Sequence, residues 1–198
     1  MRDYYEELWA RLPQTLDPPH FDLRRRFLRE HVRPGDHALD LGCGDGRFTG
    51  LLAQVGAHPI GADVAEAALR RAREAHPGID FVLVPVDGEL PLQDGSFEVV
   101  WASEVIEHVA DTARWLSEVR RVLRPRGRLL LTTPNHTRLA IAVGGLERYA
   151  DPLSDHLHLY TRQSLRQLLE DFRFGHVALE AAGGPPLMRQ LLLASSVR

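Results

Sequence analysis

Ala38-Leu39-Asp40-Leu41-Gly42-Cys43-Gly44-Asp45-Gly46-Arg47-Phe48 reads as a short apolar strand that runs into a glycine turn and then a helix. Three glycines on alternate positions let the backbone approach a ligand closely and take torsions that other residues resist. A loop that cradles a phosphate asks for Gly-x-Gly-x-x-Gly and a helix start free of acids. Here the spacing is Gly-x-Gly-x-Gly, with Asp40 and Asp45 flanking it. Two carboxylates repel a pyrophosphate and suit a cation, such as an amino acid's ammonium or a sulfonium.

A regular rhythm extends from this stretch in both directions. Before it, Tyr5, Leu8, Trp9 and Leu12 follow helical spacing up to Pro13, and a second helix over Asp22–Val32 is stopped by Pro34-Gly35. The apolar runs His37–Leu41, Pro59–Asp63, Ile79–Val84, Phe97–Ala102, Arg128–Thr133, His176–Glu180 and Leu187–Leu193 read as strands. Between them lie helical patterns over Gly46–Val55 and Val64–Ala75. Another, capped by Asp111, carries Trp115, Leu116, Val119, Val122 and Leu123, and a last one, capped by Thr161, ends at Gly175. Such alternation predicts an α/β fold, a parallel sheet with helices on both faces. Ligands of such sheets sit at the carboxyl ends of the strands, near the point where strand order reverses.

Composition narrows the function further. The 198 residues include 24 basic and 27 acidic side chains, with a formal charge of −3. That balance offers no field to hold a polyanion, so no DNA partner is expected and RNA is disfavoured. Arg24-Arg25-Arg26 and Arg120-Arg121 read as solvated helix faces. Every cation is Arg, which rules out a Schiff-base lysine and a Walker-type phosphate-loop lysine. The lone Cys43 gives no disulfide framework. No apolar run approaches membrane-spanning length, and Met1–Leu12 is charged rather than leader-like. The expectation is a cytoplasmic protein of one domain, with no membrane partner.

Acids follow the strands where a nucleoside would need them. Asp63 closes its strand 17 residues after Gly46, the place of an acid that receives ribose hydroxyls, and it also suits the cap of the helix starting at Val64. Asp87, after the third strand, can accept a hydrogen bond from an adenine amino group.

The glycine loop, Asp63, Leu90-Pro91…Asp94-Gly95-Ser96-Phe97-Glu98-Val99-Val100 and Pro125-Arg126-Gly127-Arg128-Leu129 together resemble the class I S-adenosylmethionine-dependent methyltransferases. Arg126 departs from the family's usual Pro-Gly-Gly turn. The resemblance implies a Rossmann-like, seven-stranded, mostly parallel sheet with an N-terminal helical cap. It divides one domain, 1–198, into N-terminal helices (1–34), a cofactor-binding half (35–133) and an acceptor-side half (134–198). It implies that Gly42, Gly44 and Gly46 wrap the methionine part, with Asp40 and the backbone of Cys43 beside them. Asp63 and Val64 would then meet the ribose, Asp87 and Gly88 the adenine, and Ser103 would lie under the cofactor. Tyr4, Tyr5 and Trp9 suit an N-terminal lid or a helix merely docked on the domain.

A sulfonium methyl is already activated, so the main task is in-line placement of donor and acceptor, with a general base where the acceptor is a hydroxyl. Past the fourth strand, Ser103-Glu104-Val105-Ile106-Glu107-His108 would put Glu104, Glu107 and His108 on one face if helical. His156 and His158 follow in Asp155-His156-Leu157-His158. Ubiquinone-pathway O-methyltransferases and small-RNA 2′-O-methyltransferases carry a similar Glu-x-x-Glu-His run and use it on a metal. Other relatives carry the run without metal. No metal is assigned here; His108 and His156 are the candidate catalytic bases, with His136 and His158 as further histidines in reach. Asp17-Pro18-Pro19-His20 reads as a proline turn. The insert between Asn135 and Tyr160 is expected to cover the acceptor pocket, with Gly144-Gly145 as hinge of a lid. The expected function is methyl transfer from S-adenosylmethionine to a small-molecule acceptor, a hydroxyl first and an amine or carboxylate second. The rivals are a nicotinamide-dependent oxidoreductase, an RNA 2′-O-methyltransferase and a non-catalytic cofactor-binding module.

Overall fold

The computed structural model describes residues 2–13, 18–137, 139, 141–142, 156–185 and 189–198. Two N-terminal helices, α1 (Arg2–Arg11) and α2 (Phe21–His31), precede the alternating part of the chain. It runs β1 (His37–Leu41), α3 (Arg47–Gln54), β2 (His58–Asp63), α4 (Glu66–Ala75), β3 (Asp80–Leu83) and β4 (Phe97–Ser103). After a 3₁₀ turn at Ile106–His108 come α5 (Thr112–Val122), β5 (Leu123–Pro134), α6 (Arg162–Asp171), β6 (Gly175–Ala182) and β7 (Leu191–Val197). The strands form one seven-stranded sheet in the order β3-β2-β1-β4-β5-β7-β6. β3, β2, β1, β4 and β5 pair in parallel with one another, and β7 runs antiparallel to both β5 and β6. Strand order reverses between β1 and β4, which puts the ligand crevice at their carboxyl ends.

Alternate residues of the central strands feed two cores. Leu39, Leu41, Val100, Leu129 and Leu131 pack with Leu116, Val119 and Val122 of α5 and Leu165 and Leu169 of α6. Ala38, Val99, Trp101 and Leu130 face the other way, against Phe27 and Leu28 of α2 and Phe48, Leu51 and Leu52 of α3. Each fully buried large apolar side chain contributes about 1.5–3 kcal/mol, so both faces of the sheet must be covered and the strands read as apolar runs. Trp101 is enclosed by the rings of Phe48 and Phe27, 5.2 and 6.2 Å away. The expected caps form: Arg114 N–H donates to Asp111 Oδ1 at 2.9 Å, and Thr161 and Ser164 make a reciprocal capping box.

Several boundaries differ from the sequence reading. β5 starts at Leu123, and its register on β4 jumps from the Phe97–Leu123 pair to Val99–Arg128, so Pro125 and Gly127 lie in a bulge within a strand. Arg126 takes φ 66 there, a left-handed torsion that glycine adopts more readily. β7 occupies Leu191–Val197 rather than Leu187–Leu193, because its register is set by antiparallel pairing with β5. Arg121 is not a solvated cation: it pairs with Asp94 at 2.5 Å and Glu118 at 2.7 Å and donates to Leu90 O and Leu92 O. The proposed hinge Gly144-Gly145 and Asp17 lie outside the described residues. No helix among the described residues is long and apolar enough to cross a membrane.

Candidate active site

A cavity of about 530 Å³ opens at the carboxyl ends of β1, β2 and β4, within the size range of small-molecule sites. Its floor is the glycine loop, with Gly42, Gly44 and Gly46 at φ 79, 56 and 82. Its roof is α1, which contributes Tyr5, Leu8 and Trp9. A Cβ on Gly44 would stand 2.5 Å from the Trp9 ring, and one on Gly42 would collide with Val105. Gly46 has a different task. It precedes α3, off the cavity wall, and packs against Ala72, His76 and Phe81.

The acids around the loop divide by position. Asp63 lines the cavity and accepts Gly44 N–H at Oδ2 and Ala65 N–H at Oδ1, both at 2.9 Å. It thus supports the loop and the approach to α4 at once; burial raises its pKa against those donors. Asp40 lies beneath the loop, away from the cavity wall, and accepts the Thr49 hydroxyl at 2.6 Å. Burial lifts its carboxyl to about 7, with Thr49 opposing and the charges of Asp63 and Asp45 adding. Cys43 is buried on the cavity wall, its thiol pushed up first by burial and then by Asp40 and Asp63, which suits packing and not attack. Val64 and Ser103 line the cavity. Asp87 is exposed, and neither it nor Gly88 reaches the wall. That turn presents Val84, Pro85 and Val86 instead, with Leu90 and Trp115 alongside.

Past β4 the chain does not form the α-helical face that the spacing of Glu104, Glu107 and His108 suggested. Glu104 takes φ 56 and is followed by the short 3₁₀ turn. Glu104 and His108 line the cavity, while Glu107 is fully buried behind them. Glu107 Oε2 accepts the Thr133 hydroxyl at 2.9 Å; Oε1 has no hydrogen-bond partner among the described residues and lies 3.9 Å from His108 Nε2. Burial, then the charge of Glu104, lifts Glu107 to about 8, opposed by His108. The His156 ring meets His108 edge-on at 4.9 Å and His136 at 6.5 Å, and the Tyr5 ring lies 6.3 Å from His108. His158 is tied to Val109 O at 2.9 Å and His136 is in contact with Tyr160 O at 3.3 Å, so both hold backbone. Ligand atoms of Glu107, His108 and His156 come within 4.8 Å of one another, a carboxylate and two imidazoles that suit a zinc-like divalent ion.

Arg24 corrects the sequence reading most sharply. It is 3 % exposed, on the same helical face as Phe27 and Leu28, and it lines the cavity. The spacing of 24, 27 and 28 was the available signal; the flanking arginines masked it. Its guanidinium donates to Ser103 Oγ at 3.1 Å and to Pro19 O, while Nε finds no partner among the described residues. Pro18 and Pro19, read as a bare turn, also line the cavity.

The fold is that of the class I, Rossmann-like S-adenosylmethionine-dependent methyltransferases. A crystal structure of such a methyltransferase from Mesorhizobium loti superposes with a TM-score of 0.74 at 23 % identity, covering 90 % of this chain and 97 % of that one. Residues 39–131 match the family model described as "Methyltransferase domain". A probable S-adenosylmethionine-dependent methyltransferase of Mycobacterium tuberculosis is 33 % identical over 182 residues, 87 % of this chain and 64 % of that protein. A ubiquinone biosynthesis O-methyltransferase of Xanthomonas oryzae is 34 % identical over 132 residues, 64 % of this chain and 55 % of that protein. The chain spans 35 % to 64 % of the length of four curated relatives it matches.

The residues fit the cofactor. The glycine cradle closes under Trp9, the buried Arg24 keeps an Nε without partner among the described residues, and Asp45, Asp63 and Glu104 line the cavity where a sulfonium would need acids.

Proposed function

We propose that the chain methylates a hydroxyl on a small-molecule acceptor. The observation that carries this reading is the placement of His108 on the wall of the same cavity that the glycine loop floors, with His156 against its ring. When bound, S-adenosylmethionine supplies a methyl activated on a sulfonium. Gly42, Gly44 and the backbone of Cys43 would hold its methionine part, and Asp63 with Val64 would hold the ribose. Val84–Val86, Leu90 and Trp115 would hold the adenine, with Ser103 also on the cavity wall. Arg24 receives the carboxylate. Exposed Asp87 plays no part in this reading, and Asp40 acts through the loop above it. α1 excludes water by laying Leu8 and Trp9 over the loop. His108 would take the acceptor's hydroxyl proton at an imidazole nitrogen, with His156 aligning the ring, while the bound cofactor would supply the methyl.

The distant ubiquinone O-methyltransferase relative supports an aromatic hydroxyl as the first acceptor to try. The test is turnover of S-adenosylmethionine with catechols and phenols, read as S-adenosylhomocysteine formed. His108→Ala should lower the rate about 10²–10⁴-fold with cofactor affinity kept. An unchanged rate removes His108. Cofactor binding without turnover on any acceptor class would leave a non-catalytic binding module.

The convergence of Glu107, His108 and His156 favours a second reading, in which these three hold a divalent cation against the acceptor oxygen. EDTA separates the two: it abolishes turnover under the second reading and spares it under the first.

A further inference from the structure

A second hollow, of about 400 Å³, opens on the same end of the sheet as the active site, past β5 rather than β1. Asn135 follows the last residue of β5, Ala181 lies near the end of β6, and both strands end beside Leu191, the first residue of β7. The wall consists of Arg162, Arg189, four amide or hydroxyl side chains and one apolar residue, Ala181. No carboxylate lines it among the described residues. Scarcity of acids is not the cause. They outnumber the arginines by 27 to 24, and Arg73, Arg121 and Arg128 each meet one.

Both arginines spring from fixed backbone. Asn135 N–H donates to Gln190 O and its Nδ2 to Arg189 O, each at 2.8 Å, which ties the β6–β7 connection to the end of β5. Arg189 Nη1 donates to Gly184 O at 2.8 Å across that connection. Arg162 is the first residue of α6, whose start is set by the Thr161–Ser164 capping box. Two like charges held on one wall repel, and an anion received there removes that cost. Guanidinium forks match the paired oxygens of a carboxylate or a phosphate-type group. A cation is repelled, and with Ala181 alone apolar a hydrocarbon gains little. The overall charge of −3 repels anions, so only a local feature of this kind can select one.

The hollow adjoins the active-site histidines. His136 stands between Asn135 and Thr137, and its N–H donates to Tyr160 O at 2.8 Å, next to Thr161. The ring of His136 lies 6.5 Å from that of His156, which lies 4.9 Å from that of His108. A row of three imidazoles thus leads from the cavity wall to the rim of the hollow.

We propose that this hollow is a subsite for an oxyanion carried by the acceptor, a carboxylate or phosphate-type group received by Arg162 and Arg189. This rests on the small-molecule acceptor reading above and deepens it. The acceptor is then an anion whose charged end stands off, on a short spacer, from the hydroxyl at His108.

Turnover is measured for catechol, 3-(3,4-dihydroxyphenyl)propanoate and the matching phosphonate. Either anion should show a KM about tenfold or more below that of catechol at similar kcat, and the better of the two tells a carboxylate acceptor from a phosphate-type one. In Arg162→Gln/Arg189→Gln that advantage should fall to within about threefold, with catechol turnover and S-adenosylhomocysteine affinity as in wild type. Equal KM values for the three acceptors in wild type, or a double variant that keeps the preference, overturns the inference alone. Turnover of no acceptor overturns the acceptor reading, and the hollow is then read separately by NMR titration with 3-phenylpropanoate and 2-phenylethylphosphonate. Binding that the double variant loses keeps the oxyanion subsite. Wild-type protein that binds neither probe, or a double variant that binds them equally well, overturns it.

Discussion

The cavity's floor and its roof meet at Gly44 and Trp9 but are built differently. The floor follows directly from β1 and β2, and Asp40, Cys43 and Asp63 are buried in it. The roof is α1, ten residues with none buried. A few polar contacts fasten it. Glu6 accepts the N–H groups of Glu66 and Ala67 at 2.6 and 2.9 Å, Arg2 donates to Val64 O, and Arg71 donates to Leu12 O. α4 has no side-chain cap of its own, so a carboxylate from another helix satisfies its open N–H groups. A region held by the core opens only with the core, whereas one held by surface polar contacts opens locally at small cost. The roof is therefore held less firmly than the floor.

Protonation separates the two regions most strongly. Asp40 in the floor has a raised pKa, about 7, so the unfolded chain ionises first and stability falls as pH rises from about 4 to 7. Asp40→Asn should remove that slope, on the order of 3 kcal/mol between pH 4 and 8, as read by urea denaturation across pH. Glu6 in the roof behaves oppositely. Burial pushes its carboxyl up, but the N–H groups of Ala67 and Glu66 and the charges of Arg70 and Arg2 together hold it below its ordinary value. Its contribution is present above that ordinary value, 4.5, and is lost as pH falls through the lower folded value. Mild acid between pH 7 and 5 should thus firm the floor and leave the roof docked.

A break in the floor should cost the cofactor itself. Asp63→Ala removes the acceptor for Gly44 N–H and Ala65 N–H and should cost roughly 2 kcal/mol of binding, about thirtyfold in affinity by calorimetry. Unchanged affinity would take Asp63 out of the site. Glu6→Ala should act on the roof alone: about 1 kcal/mol from the lost cap, seen as faster amide exchange in α1 and the first turn of α4, with β1 and β2 unmoved. Equal exchange gains in floor and roof would erase the distinction between them. Arg126→Gly, remote from both, should stabilise the chain by roughly 0.5 kcal/mol through its left-handed φ, raising Tm slightly with cofactor affinity untouched.

Local pattern carried the parts of this molecule whose cause is local. Alternating apolar runs, the caps at Asp111 and Thr161, and three glycines at the end of β1 depend on residues a few positions apart, so the parallel sheet and the loop were legible. Asp63 was legible because strand length alone sets an acid at the end of β2 beside the end of β1. Contacts between distant segments decided the rest. Arg24 became a buried cavity residue because α2 docks on the sheet, and Asp87 was left outside because its turn presents Val84–Val86 instead. The left-handed turn at Glu104 split a run that spacing placed on one face, sending one acid toward Arg24 through two hydroxyls and the other toward His108. Which way a side chain turns depends on partners 20 to 80 residues away, such as Ser103 for Arg24 and Thr133 for Glu107. Helix and strand periods hold no record of those partners, and only the packed chain brings them within hydrogen-bonding distance.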